Sequence, residues 1–283
     1  MRSHEQGVLN GSNYYIYTPS LQAEKTFFYP LFVGHFYYSS DYHLERNSYD
    51  SFLFMYIKKG QCFVCQDSKT YTLNENQVIM IDCYKPHSYY TTTGWEAQWL
   101  HFDGPLAREY YSLISTTIGC AITLMDNYRF EETLQKIYSM FKENTSIKEV
   151  LLNKYITDLL TQVLLAKDSD INHSKNTDSI EETTTYINEH LREELTLDFL
   201  AAKASLSPYY FIKLFKKQIG LTPHDYLIAA RINHAKFLLK TTDLSIKEIC
   251  YRCGFSSESS FCSTFKKREQ ITPSSYREVR NTI

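Results

Sequence analysis

The spacing of apolar side chains changes once along the chain. Between about residues 28 and 104, short apolar and aromatic runs alternate with polar turns, a pattern typical of β-strands. From residue 126 onward, apolar residues recur every three or four positions, which predicts amphipathic helices over 127–144 and 147–167. The chain is therefore predicted to be α+β, with a small barrel or sandwich followed by helices.

A polar segment at 167–179 follows these helices. Ile171 is its one large apolar residue, so the segment is the best candidate for a linker. We expect one domain over 1–166 and a second, all-helical domain over 180–283, which begins with a helix at 180–192.

One helical pattern occurs twice in the second domain, in a first copy at 195–226 and a second copy at 244–276. The triplet Phe-Lys-Lys and the pair Thr-Pro recur at matching places, which are 215–217 with 265–267 and 222–223 with 272–273. Two short helices joined by a tight turn form a helix-turn-helix. We predict one such unit at 196–218 and another at 245–268. A connecting helix at 223–240 would hold the two about one duplex turn apart, roughly 34 Å.

A serine precedes the second helix of each copy, Ser207 in the first and Ser257 in the second. A serine side chain at such a place accepts a hydrogen bond from the helix backbone. The outward residues near the start of a recognition helix enter the major groove. We predict that the base-facing residues are Tyr209, Lys213, Glu258, Ser259 and Ser263.

Basic residues close both predicted recognition helices, where DNA phosphates are the expected partners. A single Phe-Lys-Lys triplet would be better explained as a solvated helix surface, but a second triplet at the matching position favours DNA. The phosphate contacts are predicted at Lys216, Lys217, Lys266, Lys267 and Arg268.

Charge and cysteine content agree with this interpretation. Residues 180–283 carry a net charge of +3, whereas residues 1–179 carry −5, and nucleic-acid binding requires a positive surface. The seven cysteines show no disulfide spacing, and we interpret the pairs Cys62/Cys65 and Cys250/Cys253 as ordinary core residues. No apolar run is long enough for a membrane span, and residues 1–15 contain no apolar signal core. We therefore expect a cytoplasmic protein.

The second domain resembles the DNA-binding domain of the AraC/XylS family of transcription regulators over about residues 183–280. The resemblance is carried by SLSPYYFIKLFKKQIGLTP, by Arg231 and Ala235, by SIKEICYRCGF, and by the second FKK and TPSSYR. It implies that both recognition helices face the major groove, with base-facing positions at Tyr209, Lys213, Ser259 and Ser263.

Two positions depart from the family pattern. Many members have an arginine where this chain has Ser263, and a serine lacks the bidentate geometry of arginine. The first copy is therefore expected to supply more of the sequence specificity. Gln270 stands where members have a glycine, as Gly220 does in the first copy, and it would cost stability if its backbone is left-handed.

Residues 52–104 resemble the cupin-like ligand-binding domain that many of these regulators carry. The matching features are Gly60, Pro86-His87 and the closing WLHF. The resemblance implies a barrel that binds a small effector, with effector-binding residues at Arg46, His87, Tyr89 and Trp99. The 24 tyrosines and 17 phenylalanines favour a sugar or a similar polar ligand, although each aromatic residue taken alone is better explained by the barrel core.

The predicted helices at 127–144 and 147–167 have two interpretations. They pack against the barrel, or, as the resemblance implies, they form the contact of a homodimer, which we favour. Tyr14, Tyr15 and Tyr17 are candidates for an N-terminal arm that closes over the ligand.

These patterns predict a ligand-responsive, sequence-specific transcription regulator, more specifically an activator controlled by a sugar or another small metabolite. Its partners would be double-stranded DNA, the effector, a second copy of the chain and RNA polymerase. The alternative is a cupin-type enzyme with an appended helical domain. A metal cupin needs two histidines and a carboxylate at one site, and His87 stands without an HxH motif. We therefore predict no metal, no cofactor and no catalytic residue.

Overall fold

The computed structural model describes residues 1, 5–124, 126–143, 147–166 and 171–278, without the side chains of 171–178. The chain divides into two compact units, Met1–Ser169 and Asp170–Ile283. The first unit is rich in strands and the second is helical, which confirms the predicted fold class. None of the helices in the described part of the chain is long and apolar enough to cross a membrane.

Strands make up most of the first unit. The described residues form β1 (Asn13–Ile16), β2 (Tyr29–Tyr38), β3 (His43–Arg46), β4 (Phe52–Gln66), β5 (Lys69–Asn74), β6 (Gln77–Asp82), β7 (His87–Tyr90), β8 (Trp95–Asp103) and β9 (Ala121–Thr123). One row of strands has the order β1-β2-β8-β4-β6-β9, and the strands β3, β7 and β5 join it through β4. The paired strands are antiparallel throughout, which gives the cupin-like arrangement that the sequence predicts.

The long strand β4 belongs to both parts of this barrel. Its first half pairs with β6 and β8, and its second half pairs with β5 and β7. Gly60 lies between the halves with φ of 81°, and a Cβ there would lie 2.5 Å from the carbonyl oxygen of Gly94. Glycine is required at this bend because any side chain would strike the neighbouring backbone.

The described residues of the first unit form the helices α1 (Leu21–Thr26), α2 (Ala107–Thr117), α3 (Asn127–Lys142) and α4 (Glu149–Leu165). The predicted helix pair is confirmed as α3 and α4, which pack on each other and on β2. Asp126 caps α3 by accepting a hydrogen bond from the backbone of Arg129 at 3.1 Å. The structure also contains β1, β9, α1 and α2, which lie outside the predicted barrel and helix ranges.

The second unit contains α5 (Ile171–Glu189), α6 (Leu197–Lys203), α7 (Pro208–Ile219), α8 (Pro223–Thr241), α9 (Ile246–Arg252), α10 (Glu258–Glu269) and α11 (Pro273–Glu278). The two repeated units are α6–α7 and α9–α10, with α8 as the connecting helix. The expected linker at 167–179 differs from the structure, because α5 already begins at Ile171. The segment contains neither glycine nor proline, so nothing in it stops a helix. Residues 167–170 lie outside the described residues.

Each repeated unit has its own aromatic core. Phe211 and Phe215 meet edge to face at 5.5 Å between ring centroids, and Phe261 and Phe265 meet at 5.7 Å. Cys62, Cys250 and Cys253 are buried as predicted, whereas Cys65 is partly exposed on the opposite face of β4 and is therefore not a core residue.

Candidate DNA-reading surface and effector cavity

The recognition helices α7 and α10 present the same pattern of burial. Both are twelve residues long, and the order of exposed, half-buried and buried side chains agrees at every position. In each helix the two phenylalanines of the aromatic core are fully buried. The two copies therefore match in the positions whose side chains are exposed to a partner, as well as in sequence.

The predicted base-facing residues lie on the exposed side of these helices. Tyr209 is 81% exposed, and Lys213, Glu258, Ser259 and Ser263 are exposed as well. The hydroxyl of Ser263 donates a hydrogen bond to the carbonyl of Ser260 at 3.1 Å, within its own helix. Glu258 lies in the first turn of α10, where a negative charge also stabilises the helix dipole.

The predicted phosphate-binding residues divide into two groups. Lys216, Lys217, Lys266 and Lys267 are exposed in the last turns of α7 and α10. Arg268 is exposed too, but its guanidinium donates a hydrogen bond to the carbonyl oxygen of Asp225 at 3.1 Å. Arg268 therefore ties α10 to the start of α8, a contact that the sequence pattern did not indicate.

The two copies differ in how their recognition helices begin. Ser257 accepts a hydrogen bond from the backbone of Ser260 at 3.2 Å, as predicted. The same prediction for Ser207 is wrong, because its backbone is extended as a cap requires but its side chain makes no capping hydrogen bond. Pro208 follows directly, and its fixed φ favours the helical start.

Each copy has a left-handed residue at the same two places. The glycine stands at the end of the recognition helix in the first copy and at the turn between the helices in the second. At the end of the recognition helix, the first copy has Gly220 (φ 81°) and the second has Gln270 (φ 65°). At the turn between the two helices, the first copy has Ser205 (φ 58°) and the second has Gly254 (φ 78°). Gln270 is left-handed, so the condition under which this residue costs stability is met.

Arg231 of α8 connects the two copies. Its Nε donates to the carbonyl of Leu191 at 3.0 Å, and its second guanidinium nitrogen donates to the carbonyl of Glu193 at 2.8 Å. A Cβ at Gly254 would lie 2.0 Å from that Leu191 oxygen and 2.9 Å from Arg231. The turn of the second copy thus packs directly on backbone that precedes the first copy, and only glycine fits there.

A cavity of about 300 Å³ lies inside the barrel of the first unit. Its polar groups come from different strands and from the N-terminal segment, and its remaining wall is aromatic and aliphatic. The lining includes Glu5, Tyr14, Phe32, Phe36, Tyr38, Tyr42, Arg46, Tyr49, Tyr89, Trp99 and His101. Aromatic faces with a few polar groups are typical of small-molecule sites.

Three of the four predicted effector residues line this cavity: Arg46, Tyr89 and Trp99. His87 does not; it lies in a neighbouring depression that shares Arg46 with the cavity. The Nδ1 atom of His87 is 2.8 Å from the carbonyl oxygen of Lys85, which fixes the ring within its own turn. His87 thus lies outside the cavity lining but next to it, since its ring is stacked on that of Tyr89 with 6.3 Å between the ring centroids.

Arg46 is the charged hydrogen-bond donor of the barrel wall. The guanidinium of Arg46 lies 4.9 Å from the ring centroid of Tyr49. The indole N–H of Trp99, a residue only 9% exposed, is buried without a partner among the described residues. Burial, and then the charge of Arg46, lowers the pKa of His101 to about 3, so this imidazole is neutral at physiological pH.

The two faces of the N-terminal strand β1 contact different parts of the first unit. Tyr14 and Ile16 line the cavity. Tyr15 and Tyr17 face the other way and pack edge to face on Tyr138 and Phe141 of α3, at 5.5 and 5.6 Å. The arm predicted from the tyrosines is therefore a strand between the cavity and the helix pair.

A carboxylate at the start of α4 holds the chain that follows β1. Glu149 accepts hydrogen bonds from the hydroxyl of Tyr17 at 3.0 Å and from the backbone and hydroxyl of Ser20 at 2.7 and 2.6 Å. These bonds lower the pKa of Glu149, with the Ser20 hydroxyl contributing most.

Several cavity residues were missed by the sequence analysis, among them Phe32, Phe36 and Tyr38. They alternate along β2 on either side of Gly34, which pairs with Trp99 of β8. A Cβ at Gly34 would lie 2.2 Å from the Trp99 ring. A glycine within an otherwise aromatic alternation was thus the available signal for a large side chain packed against the strand.

The exposed apolar residues of the helix pair bear on the predicted dimer. Val150 and Leu165 of α4 are 65% and 56% exposed, and Tyr128 of α3 is 73% exposed. The opposite sides of both helices are buried in the barrel core. In the described part of the chain, no three His, Cys, Asp or Glu side chains form a group that could hold a metal ion.

Comparison with known proteins gives matches to both units. The protein-family model for the AraC-like ligand binding domain matches residues 29–160, and a model for a helix-turn-helix domain matches residues 200–278. The regulatory protein PocR of Salmonella typhimurium is 42% identical over 96 residues, which cover 34% of this chain and 32% of PocR.

Two further relatives are named as transcription activators. RhaS of Citrobacter koseri is 32% identical over 132 residues, which cover 46% of this chain and 48% of RhaS. The lactose operon transcription activator of Staphylococcus xylosus is 23% identical over 230 residues, or 78% of this chain and 81% of that protein. The chain thus spans about a third to a half of the length of PocR and RhaS.

Proposed function

Because the chain belongs to the AraC/XylS family of transcription regulators, we propose that it binds two successive major grooves of an operator through α7 and α10. The observation that supports this most directly is the matching burial of these two helices. Each buries two phenylalanines and presents three exposed residues in its first turn. A structural helix of a compact domain has no need to repeat its exposed face in this way.

Sequence-specific binding by the intact protein can be tested by selection from random duplexes at fixed salt. The expected result is an enriched sequence with two half-sites about one helical turn apart, roughly 10 base pairs. Substitution of Tyr209 and Lys213 together by alanine removes the preference at one half-site and leaves the other. Equal affinity for selected and random duplexes at the same salt would instead indicate a nonspecific DNA binder.

We propose that the cavity in the barrel binds the effector, a sugar or another small metabolite. Its aromatic walls and few polar groups support this, and so does the name of one relative, the lactose operon transcription activator. A ligand that binds only the folded barrel raises the melting temperature in proportion to the logarithm of its concentration. Gly34→Leu, which would displace the Trp99 ring, should abolish that shift.

We propose that the protein acts as a homodimer through α3 and α4. The exposed Val150 and Leu165, near the two ends of α4, support this, because they give the helix pair apolar surface outside the core that a second copy could cover. Val150→Glu together with Leu165→Glu should convert the dimer to a monomer in sedimentation experiments. Leu113→Glu on α2, a residue 48% exposed, is the matched control and should leave the dimer intact.

We propose activation rather than repression, with RNA polymerase as the partner at the promoter. The named activators among the relatives support this. Transcription reconstituted from purified polymerase and the selected operator should increase when the protein and its effector are added. The same relatives support a role without catalysis, and turnover of a cupin substrate by the purified protein would contradict it.

A further inference from the structure

The charges around the effector cavity are few and opposite in sign. Among the described residues that line it, Arg46 is the one cation other than histidine, and Glu5 is the one carboxylate. His101 is neutral because burial lowers its pKa. Arg46 and Glu5 therefore determine the charge of the cavity, and they come from different parts of the chain.

Arg46 is held by the barrel itself. It ends β3, which pairs with β7, and its guanidinium lies over the ring of Tyr49 at 4.9 Å. Burial lowers the pKa of Arg46, but Tyr89, Glu5, Tyr42 and Tyr49 together raise it above its ordinary value. Arg46 is half-buried, so an anion that binds it there gains more than it would at a fully exposed arginine.

Glu5 is brought to the cavity by the N-terminal segment. It accepts a hydrogen bond from the hydroxyl of Tyr42 at 2.8 Å. The segment runs beside β2, where the Leu9 amide donates to the Tyr37 carbonyl and the Ser39 amide donates to the Gly7 carbonyl, both at 2.8 Å. These few backbone bonds make the segment easier to displace than the barrel wall.

We propose that the effector carries an oxyanion, a carboxylate or a phosphate, that binds Arg46 in place of Glu5, on a polyhydroxylated body that packs on the aromatic walls. The planar guanidinium matches either oxyanion with two parallel hydrogen bonds. The effector is thus a sugar acid or a sugar phosphate rather than a neutral sugar. This inference rests on the proposed sensing role of the cavity.

Binding to the full-length protein can be measured with three probes that differ only at C6: glucose, glucuronate and glucose 6-phosphate. Galactose and galacturonate provide a second matched pair. We expect an acid or a phosphate to raise the melting temperature at millimolar concentration where the neutral sugar does not. A shift with glucuronate or galacturonate assigns a carboxylate, and a shift with glucose 6-phosphate alone assigns a phosphate. Acetate and inorganic phosphate at equal ionic strength are the controls for charge alone.

Two substitutions should change the affinity for an anionic effector in opposite directions. Arg46→Gln should weaken binding of the acid about tenfold to a hundredfold, because it removes charged hydrogen bonds. Glu5→Gln should strengthen binding about threefold, because it removes the competing carboxylate. Arg46→Lys keeps the charge and should retain part of the preference for the acid. An unchanged melting temperature of each ligand-free variant shows that its barrel is folded.

The inference is overturned if a neutral sugar binds as tightly as its acid, if Glu5→Gln weakens binding, or if none of the probes shifts the melting temperature. The first two results would leave a neutral effector in the same cavity. Failure of the regulator function is recognised separately, because the selection of operator duplexes needs no ligand.

Discussion

The two copies of the helix-turn-helix share a scaffold and differ in chemistry. Their recognition helices bury the same positions, and Phe215 and Phe265 contact Tyr226 and Tyr276 at 5.6 and 5.5 Å. Yet the first copy exposes a tyrosine and a lysine where the second exposes serines. Core packing thus sets the positions of the two recognition helices, whereas their few exposed residues decide which bases each helix recognises.

The largest expected difference between the copies concerns their glycines. Gly254→Ala should cost about 3 kcal/mol or more, because its Cβ would strike the Leu191 carbonyl at 2.0 Å. Gly220→Ala should cost only about 1 kcal/mol, because no atom lies within 4 Å and only the positive φ opposes the side chain. Urea unfolding of the full chain, with hydrogen exchange over 246–269, measures both. Equal losses would show that Gly254 does not hold the copies together.

A second contrast tests which copy supplies the specificity. Lys213→Ala should reduce discrimination between operator and mismatched duplexes about tenfold or more, since a lysine on a base edge contributes strongly. Ser263→Ala should change it less than about threefold, because its hydroxyl already donates within the helix. Competition binding with single-base variants of the operator gives both values. Equal losses would contradict the assignment of specificity to the first copy.

The left-handed residues that are not glycine offer a gain in stability. Gln270→Gly should stabilise the second copy by about 1 kcal/mol, because glycine adopts a positive φ without strain. Ser205→Gly should do the same in the first copy. Ala202→Gly, at an exposed position within α6, is the control with opposite sign, since it should lose about 1 kcal/mol. Thermal unfolding distinguishes these variants, and a loss from Gln270→Gly would refute the strain argument.

The smallest expected effect separates phosphate contacts from structural ones. Lys216→Ala should lower the slope of the logarithm of affinity against the logarithm of salt by about one. Arg268→Ala should lower the slope less, because its guanidinium bonds the Asp225 carbonyl. A filter-binding series over salt concentration supplies the slopes. An equal decrease for both would place Arg268 on the DNA backbone after all.

The helical second unit is predicted well from the sequence because the patterns that define its helices are local. Helical periodicity decides which side of α7 faces the core, and the repeat supplies a second, independent instance in α10. Exceptions arise where long-range contacts intervene. Arg268 bonds a residue 43 positions away, and no periodicity reports such a partner.

The cavity is less predictable because distant strands build it. The resemblance places Arg46, Tyr89 and Trp99 correctly around it, but Glu5 reaches the cavity only through the pairing of the N-terminal segment with β2. His87 shares a strand with Tyr89 and still lies outside the lining, because its ring is held by the Lys85 carbonyl. The polar segment at 171–179 is helical although its composition is typical of a linker.

Gly254, which has no side chain, has a consequence for the promoters that the protein can bind. Since the second copy rests on the Leu191 carbonyl and on Arg231, the separation of the two recognition helices is set by the protein before any DNA is met. Operators must then match that separation, and an insertion of about five base pairs between their halves would turn one half to the far side of the duplex. The spacing between the two half-sites that α7 and α10 would read is thus fixed by the way Gly254 packs within the protein.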